Sequence, residues 1–181
     1  MSASHIGLVR GINVGKAKRI SMADLRALVE GLGYRDAKTL LNSGNVVFTA
    51  KAKPELAASR IEKALVAKTG VSARVTVLTA AELADVIAEN PLAAVADDPA
   101  RHLVAVLNSP ADRSRIEPLF QQDWTPGRLA LGKRVAYLWC PDGILESKLV
   151  AAVGRALKDA VTSRNWATVL KLHALVTGTE A

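Results

Sequence analysis

A chain of 181 residues, half of them apolar and 23% charged, is long enough to bury a substantial core and too apolar to be disordered. Its one cysteine, Cys140, excludes an intrachain disulfide framework and fits a reducing, cytoplasmic compartment. The formal charge of +7 favours an anionic partner, because summed positive potential draws phosphates and nucleic acids, although the same charge also serves solubility alone.

Met1 to Val9 is too short, and too interrupted by His5 and Gly7, for a signal-peptide core, and no apolar run approaches a membrane span. His5 to Gly11 is instead expected to be a strand running into a loop. Ser21 and Asp24 have the spacing of a helix cap, and Met22, Leu25, Leu28, Val29 and Leu32 repeat at helical intervals up to a stop at Gly33. Asp36–Leu41 and Val46–Thr49 are strand candidates joined by the turn Asn42-Ser43-Gly44-Asn45. Pro54 opens a second helix to about Thr69, and the alternation of Val71, Ala73, Val75 and Val77 with polar residues predicts a strand with one wet face. The order βαββαβ is that of a ferredoxin-like sandwich, an antiparallel sheet with helices on one face.

Thr79 and Glu82 cap a third helix that ends before Pro91, and residues 80–100 are expected to link residues 1–79 to a second half, 101–181. There the pattern restarts with a strand at His102–Asn108 and a helix opened by Pro110. Strands at Arg128–Leu131 and Arg134–Cys140 and a helix at about Leu145–Lys158 follow. The fold class expected is therefore α+β, a tandem ferredoxin-like arrangement whose second half is βαββα. A last helix, Asn165–Val176, stands where a closing strand would be. Strand Arg134–Cys140 is apolar on both faces, so either the other half or a second copy of the chain should cover it.

The chemistry-bearing residues concentrate near the N-terminus. From Met1 to Ala23 the chain carries Arg10, Lys16, Lys18 and Arg19 and no acidic residue, and Gly11 and Gly15 lend the same loop a mobile backbone ahead of a helix start. Glycine, free helix-start amides and cations together suit an anion. Three residues separate Gly11 from Gly15, and Ala17 follows Lys16, which rules out the phosphate loop of nucleotide triphosphatases. The βαββαβ topology sets Arg10 and Asn13 beside Asn42, Ser43 and Asn45 at one sheet edge. The same residue types also build turns, and that reading competes with a ligand role. Thr162-Ser163-Arg164-Asn165-Trp166 precedes a helix, with Ser163 or Asn165 as its cap and Arg164 as a further candidate for an anion.

Other residues offer less. His5, His102 and His173 stand alone, Asp97-Asp98 reads as a turn, and Cys140 as a small buried hydrophobe, so no metal, cofactor or nucleophile is assigned. Base stacking of the kind used by RNA-recognition motifs needs aromatic residues on the central strands, where only Phe48 is offered.

The segments Leu8–Gly15, Ser43–Phe48, Ser147–Leu149 and Arg164–Leu172 closely resemble a bacterial family, domain-of-unknown-function family 1697. The resemblance implies a duplicated ferredoxin-like architecture without an established activity. It also implies signature positions at Arg10, Gly11, Asn13, Gly15, Ser43, Gly44, Asn45, Arg164, Asn165 and Trp166. Lys16 stands where relatives often carry a second glycine. The leading expectation is a protein that binds an anionic small molecule or a nucleic-acid backbone. The rivals are an enzyme acting on a phosphorylated or carboxylated substrate, for which no general base is evident, and an oligomerising module.

Overall fold

In the computed structural model, which describes residues 2–13, 19–70 and 72–179, the first helix starts where its cap residues stand. The Ser21 hydroxyl accepts the Asp24 N–H at 3.0 Å, and helix α1 runs Met22–Gly31. Gly33, at φ +81°, ends it by returning its N–H to the Glu30 carbonyl at 2.9 Å. Around α1 lie β1 (Ala3–Val9), β2 (Arg35–Leu40), β3 (Asn45–Ala50), α2 (Pro54–Thr69) and β4 (Val75–Thr79). The strands form an antiparallel sheet in the order β2-β3-β1-β4. Leu25, Leu28 and Val29 of α1 and Ala57, Ile61 and Leu65 of α2 pack on Val9, Val46, Phe48, Val75 and Val77. Each large side chain so buried contributes roughly 1.5–3 kcal/mol of transfer free energy.

Strand β4 departs from its expected form. It begins at Val75, after Ser72, Ala73 and Arg74, and Val75, Thr76, Val77 and Leu78 are all buried, so it has no wet face. Val71, the first residue of the expected strand, lies outside the described residues.

Helix α3 (Ala80–Ala88) opens with a reciprocal cap, Glu82 N–H to the Thr79 hydroxyl at 3.1 Å and Thr79 N–H to the Glu82 carboxylate at 2.8 Å. The chain divides into two units, residues 1–83 with 172–181 and residues 84–171. In the second, β5 (His102–Leu107), β6 (Arg128–Leu131), β7 (Val135–Trp139) and β8 (Val161–Asn165) form an antiparallel sheet in the order β6-β7-β5-β8. Helix α4 is Lys148–Leu157 and α5 is Trp166–Thr177.

Two expectations for this half are corrected. The segment opened by Pro110 is not an α-helix but two 3-10 stretches, Pro110–Arg115 and Glu117–Gln121. Pro118 has no N–H to give and its ring would collide with the carbonyl four residues back, which interrupts a continuous helix. The closing strand judged to be missing is present as β8, paired along β5 from Leu103↔Asn165 to Leu107↔Val161. The residues read as a helix preface, Thr162 to Asn165, are therefore strand, and Asn165 alone caps α5 by accepting the Thr168 N–H at 2.9 Å.

Leu103, Ala105, Leu107, Ala136, Leu138 and Cys140 meet α4 and the 3-10 segment on one face of this sheet. Burial pushes the Cys140 thiol up and a Ser147 hydrogen bond opposes it, the behaviour of a packing residue. The other face carries His102, Val104, Val106, Val135, Tyr137 and Trp139, all of them buried. There the Tyr137 hydroxyl donates to the Val86 carbonyl at 2.8 Å, and the His102 ring stacks on Trp166 at 4.8 Å. No helix among the described residues is long and apolar enough to cross a membrane.

His102 couples this face to pH. It is 1% exposed, its Nε2 has no hydrogen-bond partner among the described residues, and burial holds its pKa below the ordinary 6.5. The unfolded chain then takes up a proton that the native ring refuses. The stability is complete above the unfolded value and is lost as pH falls through the native one. His102→Phe keeps the stack on Trp166 without the titration. Denaturant melts at about pH 7.5 and about pH 5 should show a smaller stability loss in this variant than in the parent. Equal losses would contradict the assignment.

Candidate functional site

Strand β1 leaves its sheet between two neighbours. The Val9 N–H donates to the Gly44 carbonyl in the β2–β3 turn, and the Arg10 N–H donates to the Arg74 carbonyl ahead of β4, both at 2.8 Å. Gly11 (φ +66°) and Asn13 (φ +56°) then turn the chain through the left-handed region, which glycine and asparagine tolerate best.

The Asn13 side chain ties the described ends of the β1–α1 connection together. Its Nδ2 donates to the Ile20 carbonyl at 2.9 Å and to the Asn42 carbonyl at 2.8 Å, while its Oδ1 accepts the Ile20 N–H at 3.0 Å. One amide thus joins the two ends of the β1–α1 loop to each other and to the β2–β3 turn. Asn45 does the same inside that turn. Fully buried, it donates from Nδ2 to the Leu40 carbonyl and to the Ser43 hydroxyl, each at 2.9 Å.

Gly44 permits the contact. At φ +82°, a Cβ there would lie 2.8 Å from Ile12 Cδ1 and 2.9 Å from Val9 Cβ. The turn and the loop therefore touch through a residue that has no side chain.

Of the residues expected to share an edge, the structure brings together Arg10, Gly11, Asn13, Asn42, Ser43 and Asn45, and it leads Arg19 into the clamped Ile20. Arg10 is half-buried, and Arg19, Asn42 and Ser43 are exposed. Asn13 and Asn45 spend their side-chain amides on carbonyl and hydroxyl groups of the protein, so they build the rim. Gly15, Lys16 and Lys18 lie outside the described residues. Arg164 belongs to the other unit, on β8, where its Nη1 donates to the Ser163 carbonyl at 2.8 Å. Burial lowers its guanidinium to about 10, which leaves it protonated at neutral pH.

The charge near the rim is mixed. Asp24 stands in the first turn of α1, its carboxyl held below the usual range by the Ser21 hydroxyl and then by Lys68, which lies 3.6 Å away. With the Asp24 N–H already capped, the start of α1 is a poorer anion site than its sequence suggests. Arg74, which the sequence reading passed over, lies 3.7 Å from Glu62. The topology contained the signal, since the strand that follows Arg74 must pair with β1.

The model of the family described as "Protein of unknown function (DUF1697)" matches residues 2–137. This chain belongs to that family. Within the match fall the DUF1697-like segments at Leu8–Gly15 and Ser43–Phe48, which supply the clamp and the turn; Arg164-Asn165-Trp166 lies beyond it. Among solved structures the chain is similar to the conserved bacterial protein SP0830 from Streptococcus pneumoniae, with a TM-score of 0.80 at 21% identity over 97% of this chain and 99% of that one. That likeness carries the fold. No curated relative matches the chain.

Gly33 and Gly44 make a matched pair for testing the contact between turn and loop. Both have positive φ, but nothing lies within 4 Å of a Cβ at Gly33. Gly33→Ala should cost only the left-handed strain, about 1–2 kcal/mol. Gly44→Ala should cost that plus about 1–3 kcal/mol of overpacking against Val9 and Ile12, read from denaturant midpoints. Equal costs would mean that the turn is not pressed against the loop.

Proposed function

We propose that this DUF1697 protein binds a phosphate-bearing ligand at the rim formed by Arg10, Gly11, Arg19, Asn42 and Ser43. The observation that carries the reading is the Asn13 clamp, which makes one surface of a basic loop and a polar turn. The sequence adds charge to it: no acidic residue occurs before Asp24, and Lys16 and Lys18 belong to the same loop. Backbone amides, hydroxyls and guanidinium groups are what phosphate oxygens require.

Each unit is read as a ferredoxin-like sandwich, the pair arising by tandem duplication, because both sheets place their strands in the same relative order. In the second unit 3-10 stretches stand in place of the first helix. The free, buried Cys140 suits a cytoplasmic protein.

Binding is favoured over catalysis by the state of the nearby carboxylates. Asp24 is engaged with Ser21 and Lys68, and Glu62 accepts the Val75 N–H at 2.8 Å while facing Arg74, so neither is poised as a general base.

A salt titration tests the reading. Affinity for a labelled single-stranded oligonucleotide should fall with salt at a log–log slope of about −1 to −3, and Arg10→Gln with Arg19→Gln should make that slope shallower by about one. A flat response alongside saturable binding of inorganic pyrophosphate at the rim would assign a small anion. Absence of both would overturn the proposal.

A further inference from the structure

At the opposite end of the first sheet, where β1 begins and β3 ends, a second concavity opens. Ala3 pairs with Ala50 there, whereas the rim lies beyond Val9, roughly 20 Å further along the strand at about 3.3 Å per residue. The cavity has a volume of about 440 Å³ and is lined by Arg35, Lys51 and Arg60, with Ser2 and Tyr34, and by no aspartate or glutamate. None of those cations forms a salt bridge among the described residues. The only side-chain bond described for them is from Arg35 Nη2 to the Ser2 hydroxyl, at 3.4 Å.

Tyr34 lines the cavity from the side of the core. It is 6% exposed, and its hydroxyl is buried without a hydrogen-bond partner among the described residues. The ring is fixed by its stack on Phe48, with centroids 5.0 Å apart and planes within 11°. With three cations and no carboxylate in its lining, the cavity is a region of positive potential that an anion would neutralise. Helix α2, which starts just after Lys51 and Ala52, has Lys53 at its N-cap and no side-chain cap bond, so the positive end of its dipole lies on the same side.

We infer that this cavity is a binding site for the phosphate group of a small molecule, separate from the rim, with Arg35, Lys51 and Arg60 as its counter-charges. The volume lies in the range of small-molecule pockets.

Titration of the full chain with inorganic pyrophosphate, followed through backbone amide resonances, tests the inference. Saturable shifts are expected at Tyr34, Arg35 and Lys51. Arg35→Gln with Arg60→Gln should raise the dissociation constant read at these amides about tenfold, and Arg10→Gln with Arg19→Gln should leave it unchanged. Amides that do not shift, or a dissociation constant indifferent to the Arg35 and Arg60 pair, would overturn the site. Malonate saturating the same amides with equal affinity would overturn the phosphate assignment. Failure of the rim reading would appear separately, at Gly11 and Ser43.

Discussion

The first unit depends on a primary amide that satisfies three backbone groups at once. Each bond that Asn13 makes is worth about 0.5–1.5 kcal/mol net, and the two to Ile20 satisfy backbone groups of a buried residue, where an unpaired group costs most. The left-handed backbone at Asn13 is part of the same device, because it turns the side chain back toward Ile20 and across to Asn42. Asn13, Ile20 and the turn are thereby tied together, and Arg10 and Arg19 inherit their positions from that tie.

Much of this arrangement could be read from local chemistry. Ser21, Thr79 and Pro54 stand at helix starts, and Gly33 just past a helix end, because capping and left-handed geometry act within a few residues of chain. Strand β8 escaped detection for the opposite reason. Only Val161 and Thr162 of its five residues are buried, it sits at a sheet edge beside β5 alone, and the polar run that follows resembles a cap. The onset of β4 was misjudged because alternation in the sequence reports side-chain chemistry, while Thr76 is buried despite being polar.

The candidate site was legible as a list of residues and not as a division of labour. Asn13, Gly44 and Asn45 could be singled out in the sequence, but whether an asparagine faces a ligand or holds a turn depends on which carbonyl groups lie within about 3 Å of it. The cavity around Arg35, Lys51 and Arg60 was invisible for a different reason. Its residues come from the ends of separate elements and have no spacing in common, so they meet only once the chain has folded.

The first sheet thus carries positive charge at both ends, ordered by different means: an asparagine clamp at one and a stacked tyrosine at the other. The central claim, that the clamp makes the β1–α1 loop and the β2–β3 turn one surface, is tested most directly by native-state hydrogen exchange at the Ile20 amide, whose acceptor is a side chain across the loop. Protection there comparable to that of the Val9 amide, which is tied to Gly44, is the predicted result. Exchange at the rate of an unstructured peptide would contradict the account.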